Sequence, residues 1–191
     1  MLSKVSLLLL GIIDQTEINA YELIKVLKKM QVKNWFQIAD STVYVTLRNL
    51  NKNDFIEGYS IKDNNMPEKI YYKITEKGRT ELKSNIEEII SGFSYDPIPF
   101  FIASFFVTVI EQNKAIGLLE KRLDLLKKYS QGIEAQIERI KLEKAKSMYI
   151  CNIKHNKMIL DNEINITNVF LGEIRTEETW DIDALKKMII E

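Results

Sequence analysis

From Ile116 to Ile140 the chain repeats one spacing. Ile116, Leu119, Leu123, Leu126, Ser130, Ile133, Ile137 and Ile140 are separated alternately by three and four residues. An α-helix, at about 3.6 residues per turn, gathers such positions into one stripe, and no strand does. Ser130 is its one polar member, and Glu120, Lys121, Arg122, Lys127, Glu134, Glu138, Arg139 and Lys141 lie between the seam positions. A long helix with a continuous apolar seam needs a partner to cover it. That partner is either a later helix of the same chain or the same helix in a second subunit. Residues 148–191, with Met148, Ile150, Ile153, Met158, Ile159, Val169, Phe170, Leu171, Trp180, Leu185, Met188 and Ile189, predict one or two further helices folding back. Gly117 and Gly132 each cost about 1 kcal/mol relative to Ala in a helix, a cost that packing has to offset. The second half of the 191-residue chain is therefore helical and paired.

The first half has shorter periods. A helix is predicted over about Ser3–Ile13, then a break over 14–18. Asn19 fits an N-cap with Glu22 three positions on, and Ala20, Leu23, Ile24 and Leu27 follow at helical spacing. After a connector with Trp35 and Phe36, Asp40 or Ser41 caps a third helix. Val43, Leu47 and Leu50 share its inner face, while Ser41, Val45, Arg48, Asn49 and Lys52 cluster outside with Thr42 and Tyr44 on the shoulders. Over residues 41–52 that face offers hydroxyl, amide and cationic groups and no carboxylate. Such groups suit phosphate oxygens and base edges: Arg pairs with guanine and Asn with adenine. A hairpin is expected next, Ile56–Lys62 against Lys69–Ile74. Ile70, Tyr72 and Ile74 alternate there with Lys69, Tyr71 and Lys73, giving one apolar and one cationic face. Thr75 then caps a helix carrying Leu82, Ile86, Ile89 and Ile90. Three short helices followed by such a hairpin are the parts of a winged helix-turn-helix.

Charge and composition narrow the function classes. Lys+Arg and Asp+Glu both total 27, but residues 1–83 hold 13 of the first and 10 of the second, leaving 14 and 17 beyond. The small positive excess lies with the third helix. A single cysteine, Cys151, excludes a disulfide framework and fits the cytoplasm. The apolar start ends at Asp14, and the run 98–110 is equally short of the roughly 20 residues that span a bilayer, so no membrane partner is expected. Cys151 and His155 are four apart, a weak two-ligand metal site without carboxylates beside it. Glycines are scattered rather than gathered into a phosphate loop. Glu87-Glu88 and Glu177-Glu178 read as solvated helix surface. No enzyme, cofactor or metal is expected.

These residues resemble a known family. Leu8-Leu-Leu-Gly11, Ala20-Tyr-Glu-Leu-Ile-Lys25, Ser41-Thr-Val-Tyr-Val-Thr-Leu-Arg48, Phe55-Ile-Glu57 and Lys69-Ile-Tyr-Tyr-Lys-Ile-Thr-Glu-Lys-Gly78 are similar to the winged helix-turn-helix of PadR-type transcriptional regulators. The last and the Thr-Val-Tyr run are the specific signals. Ala20 and Val45 depart from the Gly and Pro usual there, so operator identity does not carry over. Asp96-Pro-x-x-Phe100, the long charged helix and the late Trp180 resemble the C-terminal domain of the virulence-activator subfamily. The resemblance implies a DNA-binding, dimeric regulator, with repression the family's usual direction. It also implies that Tyr44 and its neighbours reach DNA. Tyr21 corresponds to a family anchor position, while on the wheel it flanks the apolar stripe, which leaves core packing open.

The expectation is thus a mainly α protein with a small β wing: a winged helix-turn-helix over 1–92 and an all-α, antiparallel or coiled-coil-like dimerisation domain over 93–191. Double-stranded DNA would meet Ser41, Thr42, Tyr44, Val45, Arg48, Asn49 and Lys52, with Lys62, Lys69 and Lys73 of the wing and Tyr21. Leu119, Leu123, Leu126, Ile133, Ile137 and Ile140 would make the homodimer. Phe100, Phe101 and Phe105 are either plain core or the lining of a pocket for a small hydrophobic effector. Two rivals remain: a protein-interaction module working through the coiled coil, and a ligand-sequestering protein built on the phenylalanines.

Overall fold

The computed structural model describes residues 2–61, 69–142 and 147–180, which form two compact units. Residues 2–88 with 97–110 make the first, and residues 89–96 with 111–180 the second. The boundary expected at 92/93 separates the chain differently, since residues 97–110 pack with the winged-helix unit.

In the first unit α1 (Lys4–Gln15) begins at Ser3, whose Oγ accepts from Ser6 N at 3.1 Å. It is buried from Leu7 to Ile13, as a helix apolar on nearly all sides must be. Gly11 lets another ring approach, because a Cβ there would stand 2.6 Å from Phe106. A two-residue strand, β1 (Ile18–Asn19), follows; the sequence reading had only a break here. Asn19 then caps α2 (Ala20–Lys29), accepting from Glu22 N at 3.0 Å. α3 spans Asp40–Lys52, and its N-cap residue is Ala39, without a side-chain cap, rather than Asp40 or Ser41. Asp40 instead occupies the first turn, where the helix dipole favours a carboxylate.

β2 (Ile56–Ile61) and β3 (Lys69–Ile74) pair antiparallel, and β1 lies on the far side of β3. The register sets Glu57 opposite Lys73 and Tyr59 opposite Tyr71. β3 leads into α4 (Glu76–Ser91), with Leu82, Ile86 and Ile90 buried. α5 (Ile98–Phe105) packs on α1.

The second unit is a helical hairpin, α6 (Gln112–Leu142) against α7 (Ser147–Thr176). Of the two partners open to the Ile116–Ile140 seam, the structure supplies the intrachain one. Leu119 and Leu126 are fully buried, and Ile137 and Ile140 cluster with Ile153 of α7 and the half-buried Ile133 and Ile150. Leu123 is half-buried. The six residues assigned to dimerisation are thus occupied by their own chain, because α7 presents Ile153, Leu160, Leu171 and Ile174 at matching spacing. Ser130, the polar seam member, is buried and bonded to Asp161 at 3.2 Å. Lys157 joins the two helices, 3.0 Å from Glu134 and 2.6 Å from Asp161, and these carboxylates raise its pKa. At the open end Gln112 Nε2 donates to the carbonyls of Ile174 and Glu177 at 2.8 and 2.9 Å, satisfying groups the last turn of α7 leaves free. Gly117 and Gly132 face open space, so the seam and not the glycine sites offsets their cost. Arg122, read as one of the charges between seam positions, is 2% exposed.

Candidate nucleic-acid interface

The outward face of α3 follows from its inward one. Val43, Leu47 and Leu50 are anchored in the core at 3% exposure or less, and Thr46 is buried beside them. With the rotation so fixed, Ser41, Tyr44, Val45, Arg48, Asn49 and Lys52 are exposed and Thr42 is half-buried. Tyr44 and Val45 stand about half in solvent, at 49% and 51%, which is where contact with a groove would bury them. Arg48 and Lys52 form no ion pair with any described residue. Their cationic groups are unspent.

The end of this helix is fixed by residues of the Thr75–Gly78 run. Thr75 Oγ1 donates to the carbonyl of Asp54 at 2.6 Å and accepts from Gly78 N at 3.0 Å. Thr75 N donates to the carbonyl of Phe55 at 3.1 Å, and Lys77 Nζ to that of Asn53 at 2.8 Å. Asp54 has φ 59°, the left-handed conformation that ends a helix, which Asp tolerates better than most residues. A Cβ on Gly78 would lie 1.9 Å from the Phe55 carbonyl oxygen, so only glycine fits. From the helix side, Asn51 Oδ1 accepts from Gly58 N of β2 at 3.2 Å. α3 and the wing are therefore tied at one corner.

On the wing, Lys73 lies 3.2 Å from Glu57 and 5.9 Å over the Tyr59 ring. Its charge is shared with its cross-strand neighbour, a pairing that the sequence reading of a cationic face had not counted. Lys69 is exposed, and Lys62 lies outside the described residues. The Tyr59 hydroxyl donates to Glu17, just before β1, and this bond raises the phenol's pKa. Arg79 of α4 holds Asp14 at 3.0 Å, and that bond raises its pKa. No sequence pattern announces these links, since each joins residues more than forty positions apart. Tyr21 is 62% exposed with Lys25 Nζ 4.4 Å from its ring, so it is a surface residue and not core. It opens α2 beside β1.

The phenylalanines divide. Phe100 is buried, Phe101 is 41% exposed and Phe105 is half-buried. Phe101 and Phe105 lie against Trp35, at 4.6 and 6.2 Å between centroids, and Phe36 stacks with the indole at 6.2 Å. Trp35, passed over as connector, completes the cluster. Among the described residues no group of three or more His, Cys, Asp and Glu stands close enough to hold a metal ion, and no helix is long and apolar enough to cross a membrane.

Residues 9–84 match the family described as Transcriptional regulator PadR-like family. The winged-helix half of this chain is thus similar to a PadR-like domain. That family is, by its description, one of transcriptional regulators. No curated relative matches the sequence. Among solved structures the chain is similar to Bacillus subtilis PadR in complex with operator DNA (18% identity, 88% of this chain and 98% of that one, TM-score 0.40). It is also similar to the same protein in complex with p-coumaric acid (18%, 91% and 99%, TM-score 0.37). A third likeness is to the PadR-like regulator BC1756 from Bacillus cereus (16%, 91% and 97%, TM-score 0.42).

Proposed function

We propose that this PadR-like protein is a dimeric transcriptional repressor that binds a pseudo-palindromic operator. The carrying observation is the exposed face of α3, where Arg48, Asn49 and Lys52, without side-chain partners among the described residues, surround Tyr44 and Val45 on a helix whose rotation and end are both fixed. Arg48 and Asn49 read bases, and Lys52 and Lys69 neutralise phosphates. Tyr21 and Tyr44, both exposed, donate to the DNA backbone. Two such units contact successive major grooves about one turn apart.

The second copy meets the outer face of α7. Cys151, His155, Met158, Asn162, Asn165, Val169 and Gly172 are exposed there at alternating spacings of four and three, with Met148 and Ile166 beside them. That stripe is free of Lys, Arg, Asp and Glu, and Gly172 has open space around it. An isologous two-fold contact places the helices antiparallel with Asn162 meeting its own copy, an arrangement in which buried Asn fixes register. The Trp35–Phe101–Phe105 cluster is the site for a small apolar effector, which acts by favouring one dimer geometry. p-Coumaric acid is the first compound to titrate, with Trp35 fluorescence as the readout; an unchanged spectrum at saturating concentration removes this site from the account.

The test of the reading is a gel shift with DNA upstream of the protein's own gene against unrelated DNA. A specific complex is expected. Equal affinity for both would return the protein to the interaction-module alternative.

A further inference from the structure

The Arg122 side chain is buried, charged and shared among three segments of the second unit. From α6 its Nε donates to Thr167 Oγ1 at 3.3 Å and its Nη2 to Glu163 Oε2 at 2.6 Å, both on α7. Nη1 donates to the carbonyl of Gly92, and the guanidinium stands 5.9 Å from the Phe93 ring. Gly92 follows directly on α4, and its N–H still donates to Ile89 at 3.3 Å. The last carbonyls of a helix lack partners within it and attract a cation. One side chain thus fastens the C-terminal end of α4 to both helices of the hairpin.

Stability alone does not account for it. Burial lowers the Arg122 pKa against the pull of Glu163, and apolar residues of similar volume replace buried ion pairs without loss in many proteins. What a planar guanidinium adds is direction, because its donors leave in fixed orientations. The direction matters at this place: α4 starts at the wing's exit in the first unit and ends in the second.

We infer that Arg122 is a positioning residue for operator spacing: by fixing where α4 ends on the α6–α7 hairpin, it sets the half-site separation that the dimer accepts. This rests on the dimeric reading above. The test uses full-length wild type, the apolar double variant Arg122→Met/Glu163→Leu, and Arg122→Lys, which keeps the charge and loses the fork. Each is put through selection from a random-sequence duplex library, and the recovered half-sites are then re-spaced in single base-pair steps and their affinities measured. Wild type is expected to recover paired half-sites at one spacing. The variants are expected to recover the same half-site sequence with that spacing preference flattened, the double variant melting at or above the wild-type temperature. A merely structural role weakens binding equally at every spacing, and that result overturns the inference, as does a folded variant that keeps the wild-type spacing. Should the double variant not fold, Arg122→Lys decides on the same criterion. If wild type recovers no paired half-sites, the dimeric reading itself fails and the inference with it.

Discussion

Arg48 and Gly78 show how differently two residues of one domain serve it. Arg48 is exposed and unpaired among the described residues, so its removal costs the fold little. Loss of a bidentate base contact typically weakens specific binding by about 1–3 kcal/mol, roughly 5- to 150-fold. Gly78 touches no nucleic acid, yet a methyl group there meets the Phe55 carbonyl oxygen at 1.9 Å. Gly78→Ala must displace the corner that joins α3, the wing and α4. A clear fall in melting temperature by circular dichroism is expected, together with weaker DNA binding; an unchanged melt would mean the corner gives way easily. Tyr59 offers a spectroscopic handle on the same region. Its hydroxyl donates to Glu17 and its pKa is raised by that bond. A raised value means the contact contributes fully below the ordinary tyrosine range and is lost as pH rises through the raised value. In an ultraviolet titration one tyrosine should ionise later than it does in Glu17→Gln. Identical curves would remove the bond from the wing's anchoring.

At the scale of elements, α7 carries the account of assembly. If two copies meet antiparallel about Asn162, Cys151 lies eleven residues from the axis and about 33 Å from its own copy at about 1.5 Å rise per residue. Wild-type protein should then resist oxidative cross-linking, while Asn162→Cys in a Cys151→Ser background should form a covalent dimer on a non-reducing gel. Ready cross-linking through Cys151 instead would point to a different pairing. Legibility from sequence tracks how local the cause of each element is. α2, α3 and the α6 seam were readable because apolar spacing, and for α2 the Asn19 cap, lie within a few positions of what they specify, whereas the cap of α3 fell on Ala39 rather than Asp40 or Ser41. β1 was not, because Ile18 and Asn19 become a strand only by pairing with Tyr72 and Tyr71. The seam announced that α6 has a partner but not which one, since α7 and a second α6 satisfy the same periodicity. Arg122 was hidden for a related reason: by position it resembles its exposed neighbours Glu120 and Lys121, and only the approach of Gly92, Glu163 and Thr167 buries it. In the candidate interface the exposed set on α3 was readable from its apolar face, whereas the Glu57–Lys73 pair and the place of Trp35 depended on tertiary contacts.

For the whole molecule, net charge is a poor guide and its distribution a better one. A formal balance of zero is compatible with DNA binding because Arg48 and Lys52 stand exposed together on one face of α3, with no carboxylate among residues 41–52. The measurement that bears most directly on the central claim is fluorescence anisotropy of a labelled operator duplex across a salt series, with wild type and Arg48→Ala compared on operator and scrambled DNA. Wild-type affinity for the operator should fall linearly with salt on logarithmic axes, as phosphate-neutralising proteins do. Arg48→Ala should bind the operator and the scrambled duplex alike while remaining folded. Equal preference for the operator in wild type and Arg48→Ala would contradict the assignment of base reading to this face of α3.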